Sequence, residues 1–328
     1  GTQRVIASIG DGGNDVAMIQ EAHVGIGIVG REGSQAVRAS DVSIQAFRDL
    51  GRLLLVHGTY CYQRSAVIAQ LSFFKSWAFC FGQVFYSARS GFAGTSLYDP
   101  FSIAACNALL FLPICFYSLN RPLPMSIAMQ RPSLYRVGPM GEHLNANSVS
   151  LWLVRAIYQA CLSYGITLAV FSASHMSQSG QPPCYTQVSA VSFSIFLVVQ
   201  CFNLSFETHT FTFLQWVATY GGLAGSLALY AVCNASPKAR KLVDYYALYV
   251  AFEEPAAQYL VPVVVVASII PIVASKYWTA QYAAGPQELG RQALSGKDQK
   301  AQRFGANGAI TPEQQPFLGK GENPSLSA

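Results

Sequence analysis

IASIGDGGNDVAMIQEAHVGIGI, residues 6–28, is the stretch on which the reading of this chain turns. The apolar run IASI ends at Gly10, the polar string DGGND follows, DVAMIQEA has helical spacing, and VGIGI is a second apolar run. Short apolar runs alternating with Gly-rich turns and helical patterns are the signature of an α/β layer with a parallel sheet. The pattern continues through GSQAVRAS, with Gly30 and Gly33 at turns, to DVSI, so residues 1–48 read as one α/β piece. That is too short to close such a layer alone, because each parallel strand needs a crossover and neighbours.

DGGND carries chemistry as well as a turn. Asp11 follows the first strand and Asp15 sits in the first turn of the helix. Two carboxylates so placed can hold one Mg²⁺, directly or through water, beside a phosphoryl group. Gly12 and Gly13 let the backbone pass close to that site, and a helix N-terminus adds amide donors for anionic oxygens. Asn14 supplies an uncharged donor. Taken alone, DxxxD is also the spacing of a capped turn; only the longer string separates the two readings. Phosphoryl transfer also needs a nucleophile or acceptor, and none is visible in the 328 residues.

Outward from this loop the texture changes. Only 11% of the residues are charged, against roughly 25% in an ordinary soluble chain, and 52% are hydrophobic. A chain so poor in charge cannot cover a water-soluble surface, which predicts a multi-span membrane protein. RDLGRLLLVHGTYCYQR is amphipathic and reads as a stalk helix over 49–66. Six apolar stretches then approach the ~20 residues of a spanning helix: 67–88, 101–119, 150–174, 188–206, 210–232 and 256–275. Together they predict a six-helix transmembrane domain over 67–275 and a polar, disordered cytosolic tail over 276–328.

Arg121, Arg131, Arg136, Lys276 and the tail cations fall on the side where the chain begins, which places both termini in the cytosol. Asn234, in NAS, is then an outward-facing glycosylation sequon. The net charge of +5 is modest and no basic run suggests nucleic acid. Eight cysteines show no CxxC and no metal-ligand spacing, so they read as packing residues. The first residue is Gly1, and the sequence reads as a piece of something longer.

Charge inside the expected spans is informative. None contains Asp or Glu; Asp99 and Glu207 lie at edges, and Arg155 lies near an inner end. Lys75, in QLSFFKSWAF, lies eight residues into its span, too deep to snorkel easily. An ammonium there costs ~2.5–3.5 kcal/mol on insertion scales, so it is expected to face a polar path or a partner. It would meet an anionic phosphate head-group and repel cations. Ser72, three residues earlier, shares its helix face, and Ser76 follows it directly. Asn107 and Pro113 interrupt the next apolar helix, as interhelical glue and kink or as lining of the same polar groove.

GDGGNDVAMIQEAHVGIGIVGREGSQAVRASDVSI resembles the hinge-side end of the phosphorylation domain of P-type ATPases, whose signature is GDGxND. MIQEAHVGIGI and GREGSQAVRASD are similar to the type IV subgroup, the phospholipid flippases. The likeness continues through LLLVHGTYCYQR, SFFKSW and SLYDPFSIAACNALLFLP to RPSLY. It implies a haloacid-dehalogenase-like phosphorylation-domain remnant followed by the last six of ten spans. It further implies that Asp11 and Asp15 bind magnesium, that Gly12 and Asn14 support the phosphate site, and that Lys75, Ser72, Ser76 and Asn107 line a lipid path. ATP as substrate, a phospholipid as cargo and a small glycosylated two-span accessory subunit follow from the same resemblance. The Asp-Lys-Thr-Gly-Thr nucleophile, nucleotide domain and first four spans would lie upstream of Gly1, leaving the chain alone inactive. Flippases that prefer aminophospholipids carry Asn directly after this lysine, where Ser76 stands here. The alternatives are a cation-transporting P-type pump, which needs acidic ligands within its spans, and a non-catalytic membrane scaffold.

Overall fold

The VGIGI run is the middle strand of a small parallel sheet in the computed structural model, which describes residues 5–30, 34–173, 184–239 and 241–282. Strand β1 (Ala7–Gly10) lies on one side of β2 (Val24–Ile28) and β3 (Val42–Ile44) on the other. Ile9 is in register with Ile26, and Ile26 with Val42. Helix α1 (Val16–Glu21) makes the first crossover and α2 (Gln35–Ala39) the second. Ile19, Ile26, Ala36 and Ile44 are buried, whereas Val24, Val29 and Val42 stay exposed. Gly27 is needed for this packing: a Cβ there would stand 2.8 Å from Val37 Cα, in the backbone of α2. Without a side chain the strand lets the helix lie directly on it. Gly33 lies outside the described residues.

The chain then runs as one helix through α3 (Asp49–Arg52), a π-helical turn (Leu53–Gly58) and α4 (Thr59–Arg89). The stalk expected over 49–66 and the apolar stretch expected over 67–88 are therefore parts of a single rod. Its inner half is tied to the loop after the next helix: Tyr60 donates its hydroxyl to the Leu123 carbonyl, and Arg64 Nε donates to the Asn120 carbonyl at 2.5 Å.

Five helical stretches among the described residues are long and apolar enough to cross a membrane: Pro100–Leu119, Ala146–Ser172, Tyr185–Glu207, Phe213–Ala235 and Pro255–Tyr282. The sequence led us to expect six. Helix α4 has the length, but Gln70, Ser72, Lys75, Ser76 and Gln83 dilute its apolar content below that of the others.

These stretches are built from α5 (Pro100–Phe116), α7 (Ala146–Ala160) continuing through a π turn into α8 (Thr167–Ala173), α9 (Tyr185–Glu207), α10 (Phe213–Trp216) continuing through a second π turn into α11 (Gly222–Ala235), and α13 (Pro255–Tyr282). Two short helices, α6 (Met125–Gln130) and α12 (Ala247–Glu253), lie in the connections. Helix starts follow capping chemistry rather than hydropathy. Asp99 Oδ1 accepts from Ser102 N at 2.6 Å with Pro100 in the first turn, and Asn145 Oδ1 accepts from Ser148 N at 2.7 Å. The second cap explains why α7 begins at Ala146 and not near 150.

Helix α9 is the axis of the bundle. Of its most apolar window 83% is buried, against 22–39% for the other four. Helices α5, α12 and α13 pack on it, and α4 packs along α7. Phe193 and Phe196 of α9 join Tyr230, Tyr98 and Phe79 in one aromatic cluster.

The sequon needs correction. Asn234 is fully buried, and its Oδ1 accepts from Leu248 N at 3.1 Å, pinning the approach to α12. Its amide is part of the packing and cannot receive a glycan in this fold. The disordered tail expected over 276–328 also needs correction at its start, because α13 runs on to Tyr282 and Lys276 is paired with Glu207; the rest, with Arg291, Lys297, Lys300 and Arg303 of the orientation argument, lies outside the described residues.

Candidate functional site

Two groups of residues singled out in the sequence are each drawn together locally. In the opening loop, DGGND leaves β1, makes one 3₁₀ turn over Gly13–Asp15 and enters α1. Asp15 folds back across the turn: its Oδ2 accepts from Asp11 N at 3.1 Å and from Gly12 N at 3.3 Å. That fold-back explains Gly10, where an added Cβ would meet Asp15 Cβ at 2.3 Å. Two loop amides expected to face anionic oxygens are thus taken by Asp15.

Asp11 is exposed, and its carboxylate accepts no hydrogen bond among the described residues; Asn14 is likewise exposed. Gln35 of α2, which the sequence reading did not single out, reaches Gly13, where an added Cβ would come within 2.3 Å of Gln35 Oε1. A free carboxylate beside a second one held by backbone amides is a hard, all-oxygen donor set, which suits Mg²⁺ with water or phosphate completing its shell. No group of three or more His, Cys, Asp or Glu gathers among the described residues.

The second group surrounds Lys75. This lysine is only 6% exposed. Its Nζ donates to the Cys106 carbonyl at 3.2 Å and to Asn107 Oδ1 at 3.2 Å, both on α5. Asn107 is oriented in turn by donating Nδ2 to the Ile103 carbonyl at 3.4 Å. Lysine and asparagine, 32 residues apart, therefore meet directly. Pro113 lies two turns on and removes the helical donor from the Leu109 carbonyl. Ser72 and Ser76 are not aimed at the ammonium: Ser76 Oγ donates to the Ser72 carbonyl at 3.1 Å, and Ser76 is exposed. They form a small polar strip beside Lys75 on α4.

One polar assembly escaped the sequence reading. Glu207, the last residue of α9, bridges Arg155 of α7 at 3.1 Å and Lys276 of α13 at 2.8 Å. Arg155 also donates to Asn203 Oδ1 at 2.7 Å, and Asn203 and Gln159 exchange two further hydrogen bonds. The guanidinium lies over the rings of Phe74, next to Lys75, and of Trp152. The only signal in the sequence was three opposite charges near the same predicted ends of three spans. No carboxylate sits within the interior of a helix of the bundle among the described residues; Glu207 and Asp99 stand at helix ends.

Residues 37–284 match the family model described as Phospholipid-translocating P-type ATPase C-terminal. Phospholipid-transporting ATPase 2 of Arabidopsis thaliana is 36% identical over 278 residues, covering 84% of this chain and 24% of that protein. Phospholipid-transporting ATPase 6 of the same plant is 32% identical over 71% of this chain and 19% of its own length. Phospholipid-transporting ATPase IH of Homo sapiens is 32% identical over 67% of this chain and 20% of its own. The chain thus spans about a quarter or less of the length of these curated relatives.

Proposed function

The chain belongs to the phospholipid-translocating P-type ATPase family, and on that premise we propose that it works in ATP-driven phospholipid translocation. It is an integral membrane protein, with five helices suited to cross the bilayer. In this reading α4 is a sixth span that carries Gln70 and Lys75 inward, and the three-stranded sheet is the end of a haloacid-dehalogenase-like phosphorylation domain. Both termini face the cytosol, the nucleophile and nucleotide site belong to the part of the family's length not covered here, and a small glycosylated two-span subunit is the partner.

Asp11 and Asp15 hold Mg²⁺, with Gly12 and Asn14 beside the phosphate. Bound there, the ion neutralises charge on the transferring phosphoryl group. Asp15 holds the loop closed through two amides, while Asp11 keeps its carboxylate free for the ion.

One observation carries the transport side: a buried ammonium on α4 whose protein acceptors are both neutral. A carbonyl and an amide place no counter-charge against the lysine, whereas a carboxylate partner would. Lys75 is therefore able to attract the phosphate of a passing lipid head-group, with Asn107, Ser72 and Ser76 offering hydrogen bonds along the way. A bare-cation pump would need acidic ligands in the same place.

The test uses the full-length protein in lipid vesicles. Lys75→Ala is expected to leave phosphoenzyme formation from ATP intact and to lower lipid-stimulated ATP hydrolysis at least about tenfold, the kinetic equivalent of one charge-assisted hydrogen bond. Asp11→Asn is expected to abolish the phosphoenzyme. Normal lipid stimulation in Lys75→Ala would remove the lysine from the path.

A further inference from the structure

Lys75 has three N–H donors, and α5 accepts two of them. Beside the lysine lies a cavity with about 20 Å³ of room for water, walled in part by Leu71, Lys75, Pro113, Gln200 and Cys201. Gln200 belongs to α9, is only 8% exposed, and its Nε2 has no hydrogen-bond partner. A second void of about 10 Å³ also touches Gln200, with Gln159 and Ser163 in its wall. An unpartnered buried amide facing the same hollow as an ammonium with a spare donor is unfavourable as it stands.

The first cavity has the size for a single water and, in a wall otherwise apolar, two polar groups, Lys75 and Gln200, to hold it; about 10–15 Å³ of room and two polar partners suffice. A water accepts the third N–H of Lys75 and meets the Gln200 amide, which offers either a donor or an acceptor edge. Pro113, in the same wall, leaves the carbonyl of the preceding turn in want of a donor. We infer that one ordered water in this cavity joins Lys75 Nζ to the Gln200 amide, so that Gln200 is a positioning residue for the membrane lysine.

The ammonium is then held from two helices, directly by α5 and through water by α9, the most buried helix of the bundle. Its direction is fixed with no carboxylate against it. A head-group phosphate that displaces the α5 acceptors finds the lysine still tethered from behind. This consequence for transport rests on the proposed lipid-translocating function; the water itself does not.

Two measurements on the full-length protein in a lipid nanodisc keep the two apart. A density map fine enough to show ordered waters should place one within about 3 Å of both Lys75 Nζ and the Gln200 amide. An empty or apolar-filled cavity overturns the bridge whatever the protein transports. In parallel, lipid-stimulated turnover per phosphoenzyme is compared for Gln200→Met, which keeps length and loses the amide, and Gln200→Asn, which keeps the amide and leaves room for a second water. The bridge predicts that Met lowers turnover about fivefold and that Asn stays within about twofold, one hydrogen bond being the difference. A packing role predicts the reverse order, because Asn leaves the larger hole; Met equal to or better than Asn therefore overturns the positioning role. Wild type without lipid stimulation would sink the proposed function, and the map would still decide the water.

Discussion

A single methyl group at position 10 probes how the opening loop works. The sequence pointed to Gly12 and Gly13 as the close-approach positions; at Gly13 the neighbour is the far end of the Gln35 side chain, which can swing aside, whereas at Gly10 it is Asp15. A Cβ there would lie 2.3 Å from Asp15 Cβ and 2.7 Å from Asp15 Oδ2. Asp15 cannot give way without surrendering the amides of Asp11 and Gly12. Gly10→Ala is therefore expected to destabilise the loop by about 1–3 kcal/mol, the usual range for overpacking. Because the displaced group is a proposed magnesium ligand, the Mg²⁺ concentration giving half-maximal phosphoenzyme should rise together with that loss. An unchanged Mg²⁺ dependence in a destabilised variant would mean that the place of Asp15 matters for folding alone. Asp11 offers the converse case, since no protein hydrogen bond among the described residues depends on its carboxylate. Asp11→Asn should therefore abolish the phosphoenzyme, as argued above, without changing thermal stability.

Among the helices, Glu207 is the point where three meet. It accepts from Arg155 of α7 and Lys276 of α13 while ending α9, with its side chain 15% exposed. Removing one partner of a buried ionic group leaves the others uncompensated and typically costs 3–5 kcal/mol. Lys276, 40% exposed, is solvated in part and discounts that figure. Glu207→Gln is thus expected to cost about 2–4 kcal/mol in thermal or denaturant unfolding. Replacing Arg155 and Glu207 together should cost less than the sum of the single changes, because the double variant strands one fewer charge. Additive losses would show that the pair contributes little beyond separate packing. None of this was legible in the sequence: Arg155 and Glu207 are 52 residues apart, and hydropathy sees each only as a charge near a helix end. The lysine and asparagine, by contrast, stood out early because a charge and an amide deep in apolar runs are anomalies on their own.

Across the whole molecule, what could be read early was what composition and period encode. Alternating glycine and isoleucine marked the middle strand, and runs of apolar residues marked five of the six expected spans. Helix α4 is less apolar than the other five because Gln70, Ser72, Lys75, Ser76 and Gln83 dilute it. Burial of Asn234 was not readable, since a sequon records local sequence and its burial arises from contact with α12. That a stalk over 49–66 leads into a span from 67 was legible; the structure adds that the two are one unbroken helix through a π turn. That continuity carries the last prediction. Residues 49–89 form one helix, and Lys75 lies 17 residues beyond Gly58, about 25 Å along its axis. A rigid rod of this length can transmit rotation or translation from the side of the sheet and its DGGND loop to the lysine, and a flexible joint does not. Two glycines inserted after Gly58 would interrupt the ladder at its π turn, where the hydrogen bonding is already irregular. Phosphoenzyme should still form, because the sheet and its loop are untouched. Lipid-stimulated release of phosphate should fall about 5- to 150-fold, since the loss of a mechanical link removes the whole coupling of roughly 1–3 kcal/mol. Full lipid stimulation in the inserted variant would mean that the signal crosses by another route, such as the fastening of Arg64 to the Asn120 carbonyl, and an Arg64→Ala change in the same background would then locate it.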